Sequence, residues 1–231
     1  MKAISSLQFL IKKDFFRNVF IISSGTAFAQ IIGFLSALVL TRIYSVNDFG
    51  YFQYYQSILI FFVVISSLRY DFAILVAENE KEVLNLIFLC LFLIGVFSVC
   101  ICISIFFLRN VIINYNILPL ELANYIWFLP TSFLLISIYQ CLSQVLIRLS
   151  NFKMIRTSSI AQSLGLAGSQ VSIGYFYPGS LGLFLGDFIG RTFGIFTIIN
   201  WLIKKFGSQI HEASFMSIRN IAIKYKKYAI Y

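Results

Sequence analysis

Charge is scarce in this chain. Only 12% of its 231 residues are Asp, Glu, Lys or Arg while 59% are hydrophobic, and soluble globular chains carry about 25% charged residues. Such a sequence cannot clothe a folded surface in polar groups, yet it is too apolar to stay disordered in water. With a mean hydropathy of +0.87, a soluble enzyme is excluded and an integral membrane protein remains. Histidine is nearly missing: His211 is the single one, with only Glu212 beside it. No P-loop and no His/Cys/carboxylate cluster at metal spacing is present, so neither an enzyme, a cofactor nor a metal is expected. Of the 3 prolines, Pro130 falls about two turns into an apolar run, where it should kink a helix and free a carbonyl. The 4 cysteines, Cys90, Cys100, Cys102 and Cys141, read as small buried apolar residues; Cys100 and Cys102 lie about 200° apart on a helix and cannot share a ligand.

What the chain has is length of apolar sequence. Six runs can cross about 30 Å of hydrocarbon at about 1.5 Å per residue: Val19 to Leu40, Gly50 to Leu68, Leu84 to Leu108, Leu122 to Ile147, Ser158 to Pro178 and Leu181 to Ile203. None alternates as β-barrel strands do. The first is too long for a cleavable signal, and Thr41–Arg42–Ile43 is no cleavage site. The net charge of +9 is not a nucleic-acid footprint, because the basic residues cluster at the ends of the runs, where they face lipid headgroups. Fifteen of them fall in the amino-terminal segment, the even-numbered loops and the tail, against Arg42 and Arg109 in the opposite loops. That asymmetry predicts both termini in the cytoplasm. The expected organisation is an amphipathic cytoplasmic segment (1–18), a six-helix lobe (19–203) and a basic cytoplasmic tail (204–231). Trp127, Trp201, Tyr51 and Tyr177, near run ends, suit interfacial anchors.

Within the runs, three patterns stand out. Gly25, Ala29, Gly33 and Ala37 recur at every fourth position, as do Gly182, Gly186, Gly190 and Gly194; each ladder offers a smooth stripe for close helix packing. Ser45 and Asp48 have capping-box spacing. Asp187 and Arg191 are four apart on one helical face, and a charge at a helix centre costs about 2.5–3.5 kcal/mol on insertion scales. They suit either a self-neutralising pair or a wet cavity offering a cation and a titratable acid. Polar faces with Thr26 and Gln30, with Ser137, Gln140 and Gln144, and with Gln162, Ser169 and Gln170 are candidates to line that cavity.

Four segments resemble a known family. Thr41-Arg42-Ile43-Tyr44-Ser45-Val46-Asn47-Asp48-Phe49-Gly50 is similar to the loop after the first helix of Wzx-type polysaccharide and O-antigen flippases, members of the multidrug/oligosaccharidyl-lipid/polysaccharide (MOP) superfamily. Leu68-Arg69-Tyr70-Asp71-Phe72-Ala73-Ile74 looks like the segment after their second helix. Leu181 to Arg191 is similar to their glycine-rich sixth helix, and Lys224-Tyr225-Lys226-Lys227-Tyr228 resembles the basic linker before the seventh. The resemblance implies one lobe of a transporter with about twelve to fourteen helices in two parallel lobes. The expected cargo is undecaprenyl-diphosphate-linked oligosaccharide, carried across a bacterial inner membrane with ion-gradient coupling. It expects a second six-helix lobe or a homodimer partner. Candidate translocation residues are Arg42, Arg69, Asp71, Gln30, Gln140, Gln144, Asp187 and Arg191, with Asp187 for ion coupling. A drug exporter of the same superfamily and a non-transporting scaffold of a polysaccharide assembly complex are the alternatives.

Overall fold

The computed structural model describes residues 2–115, 118–177, 179–207 and 215–227, and every regular element among them is helical. The helices are α1 (Lys2–Ile43), α2 (Val46–Val63), α3 (Tyr70–Val76), α4 (Glu80–Asn114), α5 (Leu120–Tyr125), α6 (Leu129–Arg148), α7 (Phe152–Phe176), α8 (Ser180–Phe206) and α9 (Phe215–Lys224). Among the described residues four stretches are long and apolar enough to cross a bilayer: Ser23–Ile43, Glu80–Val111, Leu122–Arg148 and Ser180–Lys205. This is the signature of a multi-pass membrane protein. The second and fifth apolar runs also form helices, α2 and α7. The 18 residues of α2 include Asn47, Asp48, Gln53 and Gln56, and α7 begins with Lys153 and Arg156; these dilute the hydropathy of both.

Three run boundaries differ from expectation, each for a local reason. The amino-terminal segment is continuous with the first span in one helix, α1. The second run stops being α-helical at Val63. Beyond it the backbone switches to i→i+3 bonds, as in Ser66 N–H to Val63 O (3.2 Å) and Leu68 N–H to Ile65 O (3.1 Å). Leu68 and Arg69 then take left-handed φ of 47° and 64°, and the chain resumes as α3, which reaches Arg148 at the end of α6 through Leu75 O. The fourth run is broken rather than kinked. A 3₁₀ turn at Ile126–Phe128 separates α5 from α6, and Pro130 sits in the first turn of α6, where its missing N–H costs nothing. Its carbonyl accepts the Ser98 hydroxyl of α4 at 3.0 Å.

The helices stack in a sequence of neighbours: α1 on α7, α7 on α8, α8 on α2 and α6, α6 on α3 and α4. The α8 glycine ladder makes the α7–α8 seam. A Cβ added at Gly186 would meet the Gln170 backbone, and one at Gly190 the Leu166 backbone. On the other side of α8 the apolar core holds Tyr55, Leu59, Phe133, Val145, Leu183 and Phe184, with Phe184 stacked on Tyr125 at 4.6 Å.

Chain reversals alternate between two ends. At one end the Ser45–Asp48 capping box is complete, and the Ser180 hydroxyl at the start of α8 donates to the second Asp48 oxygen. Burial opposes the Asp48 charge, but the hydroxyls of Ser180 and Ser45 and their N–H groups outweigh it and hold the carboxyl below its ordinary value. Tyr44 sits beside this clasp, donating to Gln170 O at 2.8 Å; burial, then the Asp48 charge, push its phenol up to about 12. At the other end Arg148 Nη1 donates to Leu75 O (3.0 Å) and Tyr70 to Ala222 O (3.1 Å). Here the basic tail does more than trail. Ile221 and Tyr225 are buried, and Lys224 reaches Glu82 at 2.6 Å and Glu78 at 3.2 Å. The hydrogen bond to Glu82 does most to raise the Lys224 pKa; burial opposes it, and Glu78 adds to the rise. His211 lies outside the described residues. Cys90 and Cys141 are buried as expected, whereas Cys100 and Cys102 are each exposed on α4.

Candidate functional site

Polar chemistry gathers at two places joined by one face of α2. The first is a charged node inside the bundle. Asp187 is 3% exposed, and Arg191 Nε donates to its Oδ2 at 2.7 Å. A helix presents residues four apart on one face, so α8 alone creates this pair. Arg191 Nη2 also donates to Oε1 of Gln56 at 3.3 Å, tying the pair to α2. Next to Gln56, the hydroxyl of Tyr55 is buried without a hydrogen-bond partner, as is that of Ser137 on α6. An unsatisfied buried hydroxyl costs about 1–3 kcal/mol. The node is therefore neutral in sum, held by three side chains, and bordered by a polar group with capacity to spare.

The second place is a cleft of ≈ 380 Å³ between the end of α2, α3 and α6. Arg69, Asp71 and Phe72 line one wall and Gln140, Ser143 and Gln144 the other. α3 packs on α6, and this places its first turn opposite Gln140, Ser143 and Gln144. Asp71 Oδ1 accepts the Ser67 hydroxyl at 2.7 Å. The Arg69 guanidinium lies over the Phe72 ring, 5.4 Å from its centroid. Gln140 and Gln144, four apart on α6, share one face. Val63, also in the lining, lies seven residues beyond Gln56 on the same face of α2, about 10 Å along the axis. Node and cleft are thus successive stations along one helix.

Six of the eight residues singled out by sequence fall in these two places: Asp187 and Arg191 in the node, and Arg69, Asp71, Gln140 and Gln144 in the cleft. Arg42 and Gln30 do not; both are exposed on α1. Gln170 serves packing, donating Nε2 to Leu183 O at 3.3 Å, and the Ser169 hydroxyl binds Gly186 O at 2.8 Å. Sequence reasoning missed Gln56, Tyr55 and Ser67. Gln56 carried a signal, an amide inside an otherwise apolar run, but only the fold shows that it meets Arg191.

A model of the polysaccharide biosynthesis protein family matches residues 15–223. No curated protein and no solved structure matches the chain.

Proposed function

This chain belongs to the polysaccharide biosynthesis protein family, and on that premise we propose that it is one lobe of a Wzx-type MOP flippase. It carries undecaprenyl-diphosphate-linked oligosaccharide from the cytoplasmic to the outer leaflet of a bacterial inner membrane. The observation that supports this reading is a track of two polar places beside α2, the cleft and the charged node, separated along the helix by the buried apolar side chains of Leu59 and Val63. A lipid-linked sugar has to move a hydrated headgroup past hydrocarbon while its tail stays in the bilayer; fixed hydrogen-bonding groups replace the lost water. No acid–base pair suited to bond cleavage accompanies the track, which favours transport over catalysis.

In this reading the lobe crosses the membrane six times with both termini in the cytoplasm. Lengths of about 27 Å for α2 and about 37 Å for α7, at 1.5 Å per residue, suffice for the two less apolar crossings. The alternation of chain reversals between two ends is what such a topology requires. A second lobe, from another chain or a second copy, closes the open side, and rocking of the two exposes the track to each leaflet in turn. Asp187 is the coupling residue of this reading, and Arg191 offers the guanidinium for the cargo's diphosphate.

The test is export in a flippase-null cell supplied with the complete two-lobe assembly. Arg191→Ala and, at normal membrane abundance, the apolar double replacement of Asp187 and Arg191 are both expected to abolish polysaccharide at the cell surface, and Asp187→Asn to change its dependence on the ion gradient. Full export by the apolar double replacement of Asp187 and Arg191 would reduce the node to packing and refute the reading.

A further inference from the structure

We propose that the cleft between α3 and α6 is a saccharide-binding site that takes sugar rings of the cargo rather than its phosphates; this rests on the translocation reading above. Charge decides between the two ligands. The lining carries one guanidinium, Arg69, and one carboxylate, Asp71. Its formal charge sums to zero, and the carboxylate would repel an approaching diphosphate. The nearby guanidinium of Arg148 does not tip the balance, because it is turned away onto Leu75 O. An anion site built from side chains needs a surplus of cations, and this lining has none.

A polyhydroxyl ligand fits each of the groups present. Gln140 and Gln144 each offer an amide N–H₂ and a carbonyl, a donor and an acceptor side by side, as vicinal sugar hydroxyls require. Asp71 has Oδ1 committed to Ser67, which fixes the carboxylate and leaves Oδ2 for a ligand hydroxyl. Stacking on Phe72 holds the Arg69 guanidinium in place, and a flat cation offers five donors in one plane. The Ser143 hydroxyl is spent on Tyr139 O at 2.7 Å, so that position lines the cleft without being needed for binding. A volume of ≈ 380 Å³ lies within the range of small-ligand pockets, about 300–1,000 Å³. On this assignment Asp71 is a specificity residue: it admits sugar and keeps the diphosphate for the node.

The experiment uses the full chain in nanodiscs, with exposed Cys100 and Cys102 replaced by Ser and Ser143→Cys as the reporter thiol. Its reaction with a soluble maleimide is followed while neutral disaccharides (maltose, lactose, the N-acetylglucosamine disaccharide) or inorganic pyrophosphate are added. At least one disaccharide is expected to slow labelling about twofold or more at millimolar concentration, as half-occupancy of a weak site gives, while pyrophosphate does not. In Asp71→Asn, which keeps shape but leaves the lining cationic, pyrophosphate should begin to protect. Protection of the unsubstituted cleft by pyrophosphate, or by no sugar tested, overturns the assignment. Neither result touches the export assay in the flippase-null cell, so the translocation reading stands or falls separately.

Discussion

α1 and α8 carry the same device, a small residue at every fourth position, and use it differently. All four glycines of α8 are closed over: Gly182 by Tyr44, Gly186 and Gly190 by the α7 backbone, Gly194 by Gln162 and Tyr139. On α1 only the first half is engaged. Gly25 lies against the stem of Arg156 and Ala29 is buried, but a Cβ on Gly33 would meet nothing within 4 Å and Ala37 is exposed. Small residues permit close approach; they do not supply the partner. α7 supplies it for α8 with its own Gly165 and Ser169 opposite the ladder. The polar groups follow suit, since those of α8 are paired inward and Gln30 of α1 is exposed. Of the Ser23–Ile43 span 11% is buried, against 50% for Ser180–Lys205.

The contrast is broken most forcefully at the charges. Arg191→Ala leaves Asp187 buried and alone, and removing one partner of a buried pair costs about 3–5 kcal/mol. Gln30→Ala on α1 should stay within about 0.5 kcal/mol. Unfolding of both variants in detergent, followed by circular dichroism, gives the comparison. If the two midpoints shift alike, α8 is not the anchoring helix. Leucine at both Asp187 and Arg191 should recover most of the loss, because matched apolar replacement of a buried pair is near neutral.

Packing comes next. Gly190→Leu drives a side chain into the Leu166 backbone, which cannot rotate away as a side-chain tip would; overpacking of this kind costs about 1–3 kcal/mol. Gly33→Leu projects into open space and is expected to change stability by less than about 0.5 kcal/mol. A larger loss of stability at Gly33 would show that α1 has a tight partner along its second half. Equal sensitivity would erase the distinction between the ladders.

How much of this was legible in the sequence varies with the range of the interaction. The capping box at Ser45 and Asp48, the Asp187–Arg191 pair and the α8 seam are local or periodic, and residue spacing alone specifies them. The Gln56–Arg191 bond is not, since it joins positions 135 apart and depends on how α2 and α8 cross. The cleft was half legible: its residues were named, but from two separate segments. What unites them is the packing of α3 on α6, which residue spacing does not mark. The docking of α9 was hidden for a similar reason, because Lys224 and Tyr225 read as a solvated basic run until Glu78 and Glu82 are seen opposite.

The smallest effect lies where α8 begins, at the clasp of Asp48 with Ser180. Asp48 titrates below its ordinary value of 3.8, so the folded state favours the carboxylate. Its contribution is complete above the unfolded value and is lost as pH falls through the lower folded one. The group is only partly buried, so screening by solvent holds the contribution to about 1 kcal/mol or less. At the opposite clasp burial opposes the Glu82 charge, but the hydrogen bonds from Lys224 and Tyr225 outweigh it and hold this carboxyl too below its ordinary value, so the raw acid dependence mixes the two ends. Asp48→Asn separates them, because it removes one titration and leaves the other intact. The difference in unfolding midpoint between wild type and Asp48→Asn should be constant from pH 8 to about pH 5 and narrow below about pH 4. A difference that stays flat down to pH 2 would mean that the hydroxyls of Ser45 and Ser180 hold the protonated side chain as well as the charged one. The start of α8 would then be fixed by shape alone.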